Sequence, residues 1–181
     1  QLSECTTRQD KNEIGVNFAN QFKKIEYVPM VWSSNSYSNT LSKVQTAKNN
    51  GYKTILGFNE PDFKVQANMT VATAISCWPA FMNQGMRVGS PATGTWPTIN
   101  TWFQNFMSQI DSNSSLDVDF ITIHCYPENY AGKDGANWFL TNVVEACWNK
   151  YHKPIWITEF SPQGQYVTKS GEAEFIKTAL R

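Results

Sequence analysis

Two glutamates in this sequence each follow a run of apolar and β-branched residues. Glu60 comes after Lys53–Phe58 and Asn59, and Glu159 comes directly after Pro154–Thr158. A charge at the end of a buried parallel strand is costly unless it is paired or takes part in chemistry. In a barrel of parallel strands the carboxyl ends form one face, so carboxylates distant in sequence can meet there. Two facing carboxylates suit cleavage of a glycosidic bond, with one as proton donor and the other as nucleophile.

Polar residues beside these glutamates are predicted to share the same cleft. Asn59 is placed to bind a substrate hydroxyl. His124 and Tyr126 end a third strand and share a face because side chains alternate along a strand. His124 would then bind sugar hydroxyls or hold a carboxylate in place, while Cys125 between them would face the helices. These three polar residues are therefore predicted substrate-site residues.

Aromatic residues make up 14% of the chain, a content that suits a carbohydrate site because aromatic rings stack on sugar rings. Trp32 ends a predicted strand and is placed at the rim of the cleft as a stacking platform. Trp96 lies in a loop after another strand, and Phe160 follows Glu159. We predict all three as substrate-binding residues, with burial in an aromatic-rich core as the alternative.

A non-catalytic interpretation of the two glutamates is a buried ion-paired arrangement without a reaction. In that case Arg87 or Lys153 would supply the positive partner. The position of both glutamates at strand ends favours catalysis.

The composition is that of a folded, neutral domain. Of 181 residues 41% are hydrophobic and 17% charged, with 15 Lys and Arg against 15 Asp and Glu, which predicts a single domain over residues 1–181. Without a basic run there is no electrostatic reason to expect nucleic acid or an anionic membrane as a partner. No stretch of 18 apolar residues is present that would span a bilayer.

Cysteines and glycosylation sequons bear on the compartment. The cysteines are Cys5, Cys77, Cys125 and Cys147. They lack the spacing of a zinc site, so we predict no metal, and three disulfide pairings stay open. Their even number, with sequons at Asn68 and Asn113, favours a secreted or cell-wall protein. The polar start at Gln1 is expected of a mature or trimmed chain.

Short β-branched runs alternate with longer helical patterns. The predicted strands are Ile14–Phe18, Ile25–Val31, Lys53–Phe58, Met86–Ser90, Val118–His124 and Pro154–Phe160. The predicted helices are Thr40–Asn50, Thr70–Gln84, Thr98–Ile110, Asn137–Tyr151 and Ser170–Leu180. Thr70 and Ser170 are the expected caps of their helices, a kink is expected at Pro79, and Trp148 is expected on the apolar face of its helix. Such alternation predicts an α/β fold, either a doubly wound sheet or a (β/α)8 TIM-type barrel. Polar residues at the strand ends, and no glycine-rich phosphate loop after the first strand, favour the barrel.

Five strand-end motifs occur in order along residues 28–160. They are Val28-Pro-Met-Val-Trp32, Gly57-Phe-Asn-Glu-Pro-Asp62, Val88-Gly-Ser-Pro-Ala92, Val118-Asp-Phe-Ile-Thr-Ile-His-Cys-Tyr126 and Pro154-Ile-Trp-Ile-Thr-Glu-Phe160. The set resembles the catalytic domain of glycoside hydrolase family 128, β-1,3-glucanases on a shortened (β/α)8 barrel. The resemblance implies Glu60 as acid/base on strand four and Glu159 as nucleophile on strand seven. It also implies a β-1,3-glucan substrate and no metal or organic cofactor.

The sequence departs from the family pattern in three places. Cys125 stands where the family usually has Trp, residues 1–13 show no first strand, and no eighth strand precedes Arg181. The barrel is therefore predicted to be incomplete, with strands two to seven visible. We expect the functional protein to contain more chain or a partner at the seam, and to be a monomer if it is longer.

Four functions are consistent with these patterns. The first is an active endo-β-1,3-glucanase, and the second is a β-glucan-binding protein with weak or no hydrolytic activity. A third is a processed piece of a longer enzyme, and a fourth is the same mechanism on another β-linked glycan. Retention of both glutamates favours the first.

Overall fold

The computed structural model describes residues 26–165 and 167–180. Its helices are α1 (Tyr37–Asn49), α2 (Val71–Cys77), α3 (Thr101–Asp111), α4 (Gly132–Phe139), α5 (Ala146–Tyr151) and α6 (Lys169–Ala179). Its strands are β1 (Thr54–Ile55), β2 (Arg87–Val88), β3 (Ile121–Cys125) and β4 (Ile155–Phe160). The predicted strand Ile14–Phe18 lies outside the described residues, as does the first residue of Ile25–Val31.

The strands form a parallel sheet in chain order. β1 pairs with β2, and β3 pairs with β4. Single parallel bridges join Met30 to Leu56 and Gly89 to Phe120, so the segment before α1 lies beside β1 and the two pairs are linked. Consecutive parallel neighbours are the arrangement of a barrel wall, whereas a doubly wound sheet reverses its order. The described residues form this α/β wall without closing a barrel.

Two glycines allow neighbouring strands to approach closely. A Cβ on Gly57 would lie 2.8 Å from the Pro91 backbone nitrogen, and one on Gly89 would lie 2.6 Å from the Phe120 ring. Both distances are shorter than a carbon contact permits. A side chain at Gly57 would clash with the backbone at Pro91, and one at Gly89 would displace the Phe120 ring.

Helices α1, α3 and α6 begin and end within three residues of their predicted positions. The predicted helix Thr70–Gln84 already ends as α2 at Cys77, and the helix predicted to begin at Asn137 begins as α4 at Gly132. Thr70 caps α2 as predicted, and the helix gives way to a 3-10 turn, Trp78–Ala80, at the predicted Pro79 kink. The last helix is capped by Thr168 rather than by Ser170, because the Thr168 side chain accepts the Gly171 N–H. Helix caps are usually set by such local side-chain bonds.

The long predicted helix over Asn137–Tyr151 is interrupted by a π-helical segment, Leu140–Glu145. Phe139, Val143 and Cys147 are buried at four-residue steps, whereas Trp148 is half exposed. The prediction that Trp148 shares the buried face is therefore wrong. The wider π turn adds a residue and rotates the following turn.

Burial differs between the last two strands. All five residues of β3 are buried, whereas every residue of β4 is partly exposed. Helices α4 and α6 pack against one another on the outer side of these strands. Among the described helices, none has the length and hydropathy needed to cross a membrane.

Candidate active site

The first catalytic candidate, Glu60, ends the segment 53–60 that contains β1, which we call the β1 segment. Backbone hydrogen bonds hold Glu60 in place. Its N–H donates to the Ala92 carbonyl at 2.6 Å, and its carbonyl accepts from the Phe63 N–H at 3.0 Å. The φ angle of Glu60 is +42°, in the left-handed region that side chains with a Cβ disfavour. Strained backbone of this kind concentrates at functional sites. Pro61 follows in the same turn.

Asn59 and Trp32 meet beside Glu60. The Asn59 N–H donates to the Trp32 carbonyl at 2.9 Å, so the two predicted residues lie at the same sheet edge. Asn59 is buried, and its side-chain amide donates to the Gln66 side-chain oxygen at 3.3 Å. Gln66 was not predicted, because nothing in the loop sequence indicates that it returns to contact Asn59.

Asp62 joins two loops of this face. Its carboxylate accepts from the Gly94 N–H at 3.0 Å and from the Asn100 side-chain amide at 2.8 Å. Asn100 in turn caps α3, because its side chain accepts the Phe103 N–H. The loops after β1 and β2 are thereby fixed to each other.

His124 lies between the two glutamates. Its Nδ1 is 3.0 Å from Glu60 Oε1 and 3.5 Å from Glu159 Oε2, and the side chain is fully buried. Its Nε2 has no hydrogen-bond partner among the described residues. A proton on Nε2 would be a buried donor without an acceptor, so we infer that the proton of the neutral ring is on Nδ1. His124 therefore contacts the carboxylates, one of its two predicted roles.

Glu159 is held by a phenol. The Tyr126 hydroxyl donates to Glu159 Oε2 at 2.6 Å, the short distance expected of a bond to a charged acceptor. Burial, followed by the hydrogen bond to Glu159, raises the pKa of Tyr126 well above its ordinary value. Tyr126 therefore stays protonated and remains a donor at any pH at which a glycosidase works. In this structure it orients a carboxylate, whereas the sequence predicted contact with substrate.

The two carboxylates and the imidazole form one compact group. One oxygen of Glu60, one oxygen of Glu159 and a ring nitrogen of His124 all lie within 4.8 Å of one another. This spacing also makes the three side chains possible ligands of a cation. The sequence prediction did not include this possibility, because it considered only the spacing of the cysteines. The same spacing leaves the carboxylates close enough to act on one atom.

The other two predicted stacking residues, Phe160 and Trp96, each pack against aromatic rings of the helices. The Phe160 ring packs parallel to Phe139 at 5.8 Å and also contacts Phe175, both of which are buried in the core. Trp96 packs edge-on against Trp138 at 5.4 Å. The structure thus places Phe160 on the helix side of the sheet and packs Trp96 against Trp138 of α4.

The proposed cationic partners of the glutamates are engaged elsewhere. Lys153 pairs with Asp117 at 3.1 Å. The Arg87 guanidinium lies 5.3 Å from the Phe120 ring centre and 5.7 Å from that of Trp156. The ion-pair interpretation is therefore wrong for both cations.

Three of the four cysteines are described, and all three are buried free thiols: Cys77, Cys125 and Cys147. Cys125 faces the core as predicted. Cys5 lies outside the described residues. Each of the three possible pairings would join two of the described cysteines, which are free in this structure.

Comparison with known proteins identifies the family of this chain. A family model described as glycosyl hydrolase catalytic core matches residues 7–181. The chain belongs to this family. The predicted resemblance to glycoside hydrolase family 128 is confirmed, because solved members of family 128 superpose on the chain.

Two solved structures and one curated relative illustrate the similarity. An endo-β-1,3-glucanase from Amycolatopsis mediterranei, crystallised with laminaripentaose, is 34% identical with a TM-score of 0.73, covering 85% of this chain and 64% of its own. A curdlan-specific exo-β-1,3-glucanase from Blastomyces gilchristii, in complex with glucose, is 31% identical with a TM-score of 0.67, covering 86% and 67%. Alkali-sensitive linkage protein 1 of Schizosaccharomyces pombe is 33% identical over 75% of this chain. The chain spans about two thirds of the solved relatives and 24% of the yeast protein.

Proposed function

We propose that this chain carries the catalytic centre of a retaining endo-β-1,3-glucanase. The observation that supports it best is the approach of Glu60 and Glu159 oxygens to within 4.8 Å. Retaining glycosidases hold their two carboxyl groups about 5–5.5 Å apart, whereas inverting enzymes need about 6.5 Å or more to admit a water. The separation favours direct attack by a carboxylate.

The surroundings assign a different role to each glutamate. Glu60 Oε1 accepts from His124, which leaves Oε2 to carry the proton for the leaving oxygen. Glu159 Oε2 accepts from Tyr126, which leaves Oε1 to attack the anomeric carbon. A glycosyl ester then forms on Glu159 as the leaving group departs with the Glu60 proton. Water, deprotonated by Glu60, hydrolyses that ester in the second step.

The proposed substrate is a linear β-1,3-glucan. Support comes from the Amycolatopsis mediterranei relative, which was crystallised with laminari-oligosaccharides. In this chain Asn59 and Trp32 lie at the sheet edge beside Glu60, where a hydroxyl donor or acceptor and an aromatic ring would meet the sugar next to the cleaved bond. The proposed bond cleavage uses Glu60 and Glu159 with their partners His124 and Tyr126, and Asn59 and Trp32 would bind the sugar.

Substitution of each glutamate tests the assignment. We expect Glu159→Gln to abolish hydrolysis of both laminarin and an aryl β-glucoside, because the covalent route is lost. Glu60→Gln should slow laminarin hydrolysis about 10²–10⁴-fold and affect an aryl glucoside with a good leaving group far less. Wild-type rates on laminarin in either variant would contradict the proposal.

A binding measurement separates the enzyme from a glucan-binding protein. We expect the wild-type protein to release reducing ends from laminarin, and Glu159→Gln to bind laminarin without releasing any. Binding without hydrolysis by the wild-type protein would favour the β-glucan-binding alternative. Parallel assays on β-1,4- and mixed-linkage glucans would show whether the linkage is assigned correctly.

Stereochemistry tests the retaining mechanism independently of the residues. The first product detected by NMR should be the β-anomer, before mutarotation. An initial α-anomer would show inversion and would contradict direct attack by Glu159.

We also propose a secreted or cell-wall location, because the proposed substrate, a β-1,3-glucan, is a wall polysaccharide. Both sequon asparagines, Asn68 and Asn113, are exposed in the structure. A mass decrease of the natural protein on treatment with an N-glycosidase would support this location. An unmodified mass at both positions would remove the sequons as support.

A further inference from the structure

The register between β3 and β4 changes by one residue beside the catalytic group. Ile121, Thr122 and Ile123 pair with Ile155, Trp156 and Ile157, but His124 pairs with Glu159. Thr158 is therefore an extra residue on β4 with no partner on β3. Such bulges disrupt the ladder locally and redirect the following side chains.

The shift decides which way Glu159 points. Trp156 pairs with Thr122 of β3, and its ring contacts Phe120, which directly precedes β3, at 4.3 Å, so Trp156 lies on the inner face with them. Strict alternation from Trp156 would place Thr158 and Phe160 inside and Glu159 outside. With the extra residue, Glu159 reaches Tyr126 at 2.6 Å and the Phe160 ring packs outside.

The side chain of the extra residue spans the disrupted ladder. The Thr158 hydroxyl donates to the Ile123 carbonyl at 3.3 Å, and Ile123 is the last β3 residue before the shift. This bond joins the two strands at the point where regular pairing is lost. β4 is partly exposed throughout, so fewer packing contacts oppose slippage there than on β3.

We propose that Thr158 is a positioning residue for Glu159. The Thr158 hydroxyl holds the one-residue register shift, and this shift directs the Glu159 carboxylate toward His124 and Tyr126. The inference rests on the proposed function in taking Glu159 as the nucleophile. It adds a residue that contacts neither substrate nor the reacting atoms and acts only through the strand.

Two substitutions separate the hydroxyl from the shape of the side chain. Thr158→Val keeps the volume and removes the donor, whereas Thr158→Ser keeps the donor. We expect Thr158→Val to lower kcat on laminarin about three- to tenfold with KM little changed, and Thr158→Ser to restore most of kcat. Thr46→Val is a matched control, because it removes a similar bond from Thr46 to the Ser42 carbonyl on α1. It should leave kcat unchanged.

Trapping the covalent intermediate gives a readout that a general loss of stability would not give. With 2-deoxy-2-fluoro-β-glucosyl fluoride, a Glu159 oxygen bonds to the anomeric carbon and fluoride leaves with the electron pair. We expect Thr158→Val to slow this inactivation about as much as it lowers kcat, in protein shown to be folded by circular dichroism. Wild-type inactivation in Thr158→Val, or equal losses in the Ser and Val variants, would overturn the proposal.

A milder pair keeps the test decisive if Thr158→Val does not fold. Thr158→Ser and Thr158→Cys differ only by oxygen and sulfur, and we expect the Ser variant to be faster. Equal rates would overturn the inference. Activity in Glu159→Gln would instead show that the proposed function is wrong, whereas an inactive Glu159→Gln with unaffected Thr158 variants would refute this inference alone.

Discussion

At the end of the β1 segment the chain turns back on itself, whereas at the end of β4 it continues as an extended strand. Glu60 sits in the turn, with a left-handed backbone and a carbonyl bonded to Phe63. Glu159 sits in the strand, one residue after the register shift. The same edge of the sheet thus receives two carboxylates by different backbone arrangements.

The surroundings of the Glu60 and Glu159 side chains also differ. The Glu60 side chain is 9% exposed and that of Glu159 is 34% exposed. Glu60 is held by main-chain bonds to Ala92 and Phe63 and by His124 at its side chain, whereas Glu159 is held by Tyr126 and by the bond across the bulge. Apart from His124, substitutions of neighbouring side chains should therefore affect Glu159 more than Glu60.

The largest effect expected from a neighbour is that of Tyr126→Phe. Loss of the 2.6 Å bond to Glu159 should lower kcat about 10- to 100-fold, the usual value for a hydrogen bond to a charged group. Tyr37→Phe, at an exposed position on α1, is the control and should be neutral. A wild-type kcat in Tyr126→Phe would show that Glu159 does not depend on side-chain support.

The part of the site that follows from local patterns was predictable. Both glutamates follow β-branched runs, and the carboxyl ends of parallel strands share one face, so their convergence needed no further information. His124 and Tyr126 were placed on one face by alternation alone, which holds because β3 is regular up to Cys125. Chain order and parallel pairing followed in the same way.

The remainder depends on contacts that a single strand does not encode. Alternation along β4 cannot reveal that Thr158 is unpaired. Phe160 was expected beside the substrate because it follows Glu159, and it lies against Phe139 instead. The approach of Gln66 to Asn59 depends on how a loop folds back. The left-handed backbone of Glu60 is a strained conformation that residue type does not suggest.

The backbone difference predicts opposite effects of glycine at the two ends. Glycine adopts φ +42° without a Cβ penalty, so Glu60→Gly should be more stable than Glu60→Ala by about 1 kcal/mol. In the strand, Glu159→Gly should be less stable than Glu159→Ala by about 0.5–1 kcal/mol. Urea denaturation of the four variants measures both differences. The same sign at both positions would contradict the backbone comparison.

Thiol labelling reports whether the partly exposed β4 end opens. Burial raises the pKa of Cys125 to about 12, helped by nearby Cys147, whose own pKa is raised to about 11 by burial. We expect neither thiol to react with iodoacetamide at pH 8 in the native protein, and both to react in urea, because the thiolate is the nucleophile. Native labelling of Cys125 within an hour would show that the packing around the β3 and β4 ends opens, and would weaken the case for a fixed register.

The last expected effect concerns alkaline pH. Burial raises the pKa of Tyr126 and of Tyr151 well above the ordinary tyrosine value of about 10, so the native protein keeps both protons after the unfolded chain has lost them. The stabilisation is fully present below pH 10 and is lost as pH rises above it, by at most about a tenfold change in the folding equilibrium constant per pH unit for each group. Urea denaturation at pH 9, 10 and 11 should therefore show a shallower decline for Tyr126→Phe and Tyr151→Phe than for the wild type. A decline that Tyr126→Phe leaves unchanged, while Tyr151→Phe reduces it, would mean that the phenol beside Glu159 titrates as if exposed. The difference in solvent exposure between the β4 end and the β1 end would then be larger than the side-chain exposures of Glu159 and Glu60 indicate.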